Sequence, residues 1–366
     1  NVGGSKSGSP PRGYFPPHGK ISGLESVNEN EYLTDTLTNE TIEFIKENSQ
    51  TQWLAYLSHF SVHTPIQAKK KDILKFESKA PGTLHNHVIM AAMIKAVDDG
   101  VGKIISVLED LKIKERTVVI FYSDNGGYGP ATSMSPLKGY KGTYYEGGIR
   151  VPFFVNWPKV VAAESRCSTP ITGVDIYPTL QEIITGKNKI DPKIDGVSIV
   201  PLLKGEKIEP RNIYWHFPAY LQSYSQRQDQ QRDPLFRSRP CSVIRSGKWK
   251  LIEYFENKDI ELFDLSEDIG EKNNLSTKKP SITKSLRTQL NDWRISTNAS
   301  IPSKENPEYD KEAELNAIIK LQEKDKSKRK LLLDEICKKI NAQAINLIGL
   351  QIVIFKASEP PKILFP

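Results

Sequence analysis

Cysteine is scarce: Cys167, Cys241 and Cys337 are the only three, none lies in a C-x-x-C pair, and the odd count leaves one thiol over however the others pair. Neither a disulfide framework nor a cysteine-type zinc site is written into such a chain. Long apolar runs are missing as well. The longest, INLIGLQIVIF from Ile345, is interrupted by Asn346 and Gln351 and falls short of the roughly 20 residues needed to span a bilayer. The opening NVGGSKSGSPPRGYFPPH has neither the charged nor the apolar region of a signal peptide, and it starts without Met inside a Gly/Ser/Pro-rich loop, as a piece of a longer protein would. Charge of one sign is also in short supply. Lys and Arg number 51 against 44 Asp and Glu, a formal +7 that is scattered except between Lys320 and Lys339. An acidic substrate fits this balance and so does a solvated face, but no basic-aromatic module for nucleic acid is present.

What is abundant is core material. With 38% hydrophobic residues, 14 Tyr, 13 Phe and 5 Trp, the 366 residues have enough to bury one large domain or two ordinary ones. Helical spacing runs from Tyr32 to about Glu47, and more strongly from Val88 to Leu111, where Val97, Val101, Ile104, Ile105 and Leu108 share a stripe. WLAYLS from Trp53 and TVVIFY from Thr117 read as buried strands, the second covered on both faces, with VPFFVNW from Val151 as the next strand and Asp175 to Thr185 as a helix. Helix–strand alternation of this kind predicts an α/β sheet flanked by helices, with its ligand site beyond the carboxyl ends of the strands. After about residue 205 short strands and turns take over (NIYWHF, SVIR, KWKLIEYF, IELFDL), followed by a helix near Ile282 to Trp293, which together predict a smaller α+β subdomain.

Two strand exits carry candidate chemistry. SDNGG, Ser123 to Gly127, sets a carboxylate beside an amide oxygen at a sharp turn, a donor pair suited to a hard cation such as Ca²⁺ or Mg²⁺, although the same residues also make ordinary turns. PLKGYKGTYYEGGIRVPFFVNWP, from Pro136, is a glycine-punctuated loop whose lysines are either solvated or placed to meet an oxyanion. HFSVHTP brings His59 and His63 to the exit of the first expected strand, and His85 and His87 form an H-x-H that is either a metal pair or an exposed loop.

SDNGG followed by KGTYYEGGIRVPFFVNWP strongly resembles the formylglycine-dependent sulfatases, a branch of the alkaline phosphatase superfamily. LAYLSHFSVHTPIQA, VDIYPTL, DGVSIVPLL, YWHFPAY, IRSGKWKLIEYF, ELFDLSEDIGEKNNLS and WRISTNASIPSKENPEYD look like further landmarks of aryl and polysaccharide sulfatases, so the resemblance covers about Asn1 to Asp310. It implies an alkaline-phosphatase-like sheet flanked by helices, incomplete here, over residues 1–204, and a C-terminal sulfatase subdomain over 205–310. Residues 311–366 match no family landmark and are expected to be an atypical tail, disordered or artefactual. The resemblance also implies hydrolysis of aryl or carbohydrate sulfate esters and export to a periplasmic, extracellular or lysosomal compartment. Asp124 and Asn125 resemble the calcium ligands, Lys141 the lysine at the sulfate, and His63 the histidine that protonates the leaving group. His59 is a neighbour rather than a participant. His216, in YWHFPAY, either faces the substrate or is simply packed.

Three features that the family carries upstream of these landmarks do not occur here: the paired calcium aspartates, the C/S-x-P/A-x-R motif converted to formylglycine, and a GKWHLG-like Lys/His segment. Cys167 lies in RCSTP without the arginine and is a poor substitute. The loss of an N-terminal third is the expectation that follows, together with an incomplete calcium site and inactivity of these residues alone. The rival expectations are a phosphoester or phosphonate hydrolase of the same superfamily and a non-catalytic fragment that binds sulfated glycans.

Overall fold

The computed structural model describes residues 10, 13–18, 21–24, 31–188, 191, 193–224, 232–303, 306–324 and 327. The chain divides into two compact units, residues 1–304 and 305–366. In the second, residues 311–324 are helical, and the apolar stretch from Ile345 lies outside the described residues. Everything that follows concerns the first.

Helix α1 (Leu33–Glu47) buries Leu33, Leu37, Ile42 and Ile45, as the sequence spacing requires. After α2 (Lys70–Glu77) comes α3 (Val88–Asp110), capped at its start by His87, whose Nδ1 accepts the Met90 amide at 3.3 Å. The fully buried positions of α3 are Met90, Ala92, Met93, Ala96, Gly100 and Leu108, while Val97, Val101, Ile104 and Ile105 are only half-buried. The expected stripe is therefore rotated. Ala92, Ala96 and Gly100, four apart, let α1 approach so closely that a Cβ at Gly100 would stand 2.6 Å from Thr38 Oγ1. Close helix packing selects small residues, which a search for large apolar ones passes over.

Strand β1 (Val119–Tyr122) and β2 (Phe153–Asn156), separated by the short α4 (Glu146–Ile149), pair antiparallel with Val119 opposite Asn156 and Tyr122 opposite Phe153. Two expectations are corrected here. TVVIFY is not covered on both faces: the β1–β2 sheet has only two strands among the described residues, and Phe121, Tyr122 and Phe154 are exposed. WLAYLS forms no strand among the described residues. Its side chains nonetheless alternate as a strand's do, with Trp53 and Leu57 packed inward and Leu54 and Tyr56 at 62% and 90% exposure. Backbone dihedrals are local, whereas ladder bonds need a partner.

Helix α5 (Ile176–Thr185) ends at left-handed Gly186, and α6 (Val200–Leu203) leads into the C-terminal part. There β3 (Asn212–Phe217), β4 (Leu221–Gln222), β5 (Phe236–Ser238), β6 (Cys241–Ser246), β7 (Trp249–Tyr254) and β8 (Ile260–Asp264) form a four-stranded antiparallel sheet in the order β3–β6–β7–β8, with β4–β5 as a small ribbon beside it. Period-two alternation gives this sheet two apolar faces. Ile244, Leu251 and Leu262 pack on Leu286 and Leu290 of α7 (Pro280–Ser296), and Val243, Ile252 and Phe263 pack on Tyr144 and Tyr145 of the long loop before α4. The loop that carries the candidate lysine is thereby pressed against the smaller subdomain.

Candidate functional site

Backbone contacts lace the SDNGG turn to the lysine loop. The Gly126 amide donates to the Gly148 carbonyl at 2.9 Å, the Lys141 amide to the Gly127 carbonyl at 3.0 Å, and the Gly147 amide to the Lys138 carbonyl at 2.7 Å. Glycine is obligatory for the approach: a Cβ on Gly126 would lie 1.9 Å from the Gly147 oxygen. Asp124, Asn125 and Lys141 are thus brought together on two interlocked loops at the end of β1.

Asn125 Nδ2–H donates to Asp124 Oδ2, so the second oxygen of Asp124 and the amide oxygen of Asn125 have no protein partner among the described residues. Two oxygens of this type suit a hard cation, but Ca²⁺ takes about six to eight, and no group of three or more His, Cys, Asp or Glu that could hold a metal exists among the described residues. The pair fits one side of a calcium shell and no more. Desolvation, and then the Asp124 charge, raise the pKa of Tyr122 at the base of the turn.

The two lysines of the loop have opposite fates. Lys138 Nζ lies 3.9 Å from the centre of the Tyr145 ring and 3.4 Å from the Glu271 carbonyl, which commits it to packing. Half-buried Lys141 has no acidic partner among the described residues, so its charge is available to an anion.

His63 stands on a different loop, pinned by Tyr14. That tyrosine is completely buried, stacks on Tyr32 at 5.5 Å, and places its hydroxyl 2.7 Å from the Phe60 carbonyl and 2.8 Å from that of His63. The His63 Nδ1 lies 3.0 Å from the Thr64 carbonyl, and because a carbonyl only accepts, Nδ1 carries the proton. Proton exchange then falls to Nε2. His59 nearby is the inert member of the pair: both ring nitrogens are buried without a partner among the described residues, and burial pushes its pKa down to about 4.

His216, half-buried on β3, is held within the C-terminal subdomain. Its Nδ1 meets Ser242 Oγ at 2.8 Å, its Nε2 meets the Ser300 carbonyl at 2.9 Å, and its ring lies against Phe255 and Trp293. Both nitrogens thus have protein partners in this structure. His85 and His87 do not act together: His87 caps α3, and His85 Nδ1 is 3.4 Å from Thr132 Oγ1.

Beneath the lysine loop lies a charge cluster that sequence reading passed over. Lys250, fully buried on β7, meets Glu146 at 3.1 Å and Glu271 at 2.8 Å, and Glu271 also accepts the Glu146 amide at 2.6 Å. Arg245 adds a contact to Glu146 at 3.3 Å. Burial raises the Glu271 pKa and Lys250 opposes it. A lysine in the inward register of KWKLIEYF was the available signal, since a strand's buried face tolerates a cation only when it is paired. Beside Lys141 sit Tyr128, Tyr140 and Tyr224, with Arg237 over the Tyr224 ring at 4.0 Å. The signal here was the density of arginine in RDPLFRSRP.

Two family models match this chain in succession, "Sulfatase" over residues 5–186 and "N-sulphoglucosamine sulphohydrolase, C-terminal" over residues 140–296. A curated protein of Formosa agariphila described as a sulfatase is 33% identical, the match covering 73% of this chain and 51% of that protein. Human steryl-sulfatase is 30% identical over 52% of this chain and 33% of its own length. Among solved structures, Ps i-CgsB in complex with k-i-k-neocarrahexaose aligns with a TM-score of 0.61 and 30% identity, over 78% of this chain and 59% of that one. The chain therefore spans about half the length of the first of these curated relatives and a third of the second.

Proposed function

The chain belongs to the sulfatase family and has part of its alkaline-phosphatase-like α/β fold, and on that premise we propose that it contributes to the hydrolysis of carbohydrate or aryl sulfate esters. The observation that supports this reading is the interlocking of the two loops, which brings the backbone of Lys141, a lysine with no acidic partner among the described residues, to the Gly127 carbonyl of the turn that bears Asp124 and Asn125. The Lys141 ammonium binds the sulfate oxygens and opposes the charge that grows on them as the ester bond breaks. As an imidazolium, protonated on both ring nitrogens, His63 gives its Nε2 proton to the departing alcohol oxygen, while Nδ1–H stays anchored on the Thr64 carbonyl so that the ring does not turn away. Asp124 and Asn125 would hold one side of a calcium ion, whose charge, when bound, further stabilises the sulfuryl oxygens.

The nucleophile of such a reaction has no counterpart among these residues, since C/S-x-P/A-x-R does not occur in the sequence. We assign it to a formylglycine outside them, and we place the working enzyme in an exported compartment, where sulfated carbohydrates are met. No helix among the described residues is long and apolar enough to cross a membrane.

The test is sulfate release from 4-nitrophenyl sulfate and from sulfated oligosaccharides. It uses the longest reading frame that contains these residues, coexpressed with a formylglycine-generating enzyme. K141A and H63A should each lower kcat by about 100-fold or more while leaving the melting temperature in place. Faster turnover of the matching phosphate ester would move the protein to the phosphoester hydrolases. Retention of sulfated glycan without turnover would make it a binding protein.

A further inference from the structure

Three arginines lie close together around the β4–β5 ribbon, and two of them are neutralised. Arg232 meets Asp259 and Glu261, and Arg239 meets Asp233 and Glu256. Arg237 has no acidic partner among the described residues. Its Nε donates to the Gln222 carbonyl at 2.7 Å, and one terminal nitrogen reaches the Lys141 carbonyl at 3.3 Å. A guanidinium has five N–H donors, so the remaining three, including both on Nη2, have no protein acceptor among the described residues.

The surroundings hold this cation in place. Its guanidinium carbon lies over the Tyr224 ring, 4.0 Å from the centre; Tyr224 in turn meets Tyr128 edge-on at 4.9 Å and Tyr140 at 5.7 Å. Tyr128 follows the SDNGG turn and Tyr140 precedes Lys141, so the aromatic trio joins both candidate loops to the arginine. Gly142, at φ +89°, makes room: a Cβ there would lie 2.6 Å from Leu221 and 3.1 Å from Arg237. A planar guanidinium held on an aromatic face with donors to spare is suited to recognise a carboxylate or a sulfate through two hydrogen bonds.

We propose that Arg237 is a specificity-determining residue that binds a second anionic group of a carbohydrate substrate whose scissile sulfate lies at Lys141. The inference rests on the sulfatase reading above and names its substrate class: a saccharide carrying at least one further sulfate or carboxylate near the ester that is cleaved.

The test is calorimetric binding of the full chain to three disaccharide probes of one backbone: a monosulfate, a disulfate, and a monosulfate with a uronate carboxylate. Wild type should bind one or both of the doubly anionic probes about tenfold more tightly than the monosulfate, and the probe preferred identifies the second group. In R237Q that ratio should fall close to one. R237K, which retains the charge but not the fork, should fall between, and in R239Q, where a neutralised arginine is removed, the ratio should stay high. K141A should weaken all three probes together. A preference that survives in R237Q and R237K, or its absence from wild type when the monosulfate binds through Lys141, would overturn the role of Arg237 alone. Failure of every sulfated probe to bind wild type, or binding indifferent to K141A, would overturn the sulfatase reading and this inference with it.

Discussion

The C-terminal sheet and the region around β1 are built from equally apolar strands, yet one buries them and the other displays them. In the β3–β6–β7–β8 sheet, Val243, Ile244, Leu251, Ile252 and Leu262 are all fully buried between α7 and the lysine loop. Around β1, Leu54 is 62%, Tyr56 90% and Phe154 66% exposed. The difference is one of sequence distance. β6, β7 and β8 follow one another through tight turns, so each finds its partner locally, whereas the β1 region assembles strands separated by whole helices. Strands of the first kind complete their own hydrogen bonding, and those of the second present edges.

The largest expected effect comes from breaking the seam between the two regions. K250M leaves buried Glu271 without its cation, and Glu146 with only Arg245 and Arg150, and should cost about 3–5 kcal/mol in urea denaturation, with faster amide exchange over residues 138–148. The triple change K250M/E146Q/E271Q should recover much of that loss, because the uncompensated charge and not the missing contact is what destabilises.

The N-terminal region should fail first in acid. His59 is buried neutral with its pKa at about 4, below the ordinary 6.5 of an unfolded chain, so the unfolded state takes up its proton first as pH falls. Stability conferred by this residue is complete above about pH 6.5 and is lost progressively toward pH 4, by up to about 3 kcal/mol. Thermal melts of H59F against wild type should show a shallower pH dependence across that window. An unchanged slope would mean that other groups dominate acid unfolding.

A smaller loss is expected where the loops interlock. G126A should cost about 1–3 kcal/mol, because its Cβ meets backbone rather than a side chain able to move, and it should weaken sulfate binding along with stability. The smallest change in stability, within about 0.5 kcal/mol, is predicted for Y56K on the exposed face. Its effect belongs instead to association: light scattering of the variant should show less self-association than wild type, as a charge on an open strand discourages edge pairing.

Much of this was legible beforehand because it is local. Helices α1, α3, α5 and α7, the β6–β7 hairpin and the loops bearing Asp124, Asn125 and Lys141 follow from periodicity, turn residues and motif spacing. The rotated face of α3 did not follow, since the reason lies in how near α1 comes at Gly100. Nor did His216, whose motif setting says nothing of Ser242 and Ser300.

Residue identity alone determined which candidate groups this protein carries: a carboxylate and an amide at a glycine turn, lysines on a glycine-punctuated loop, and histidines after an apolar segment. Only the tertiary structure decided which of them are available. Lys138 is taken up by an aromatic ring, and Arg232 and Arg239 are neutralised by carboxylates, whereas Lys141 and Arg237 have no acidic partner among the described residues. Charge is a property of a side chain, but its compensation depends on neighbours distant in the chain, and no local pattern records where those neighbours come to rest.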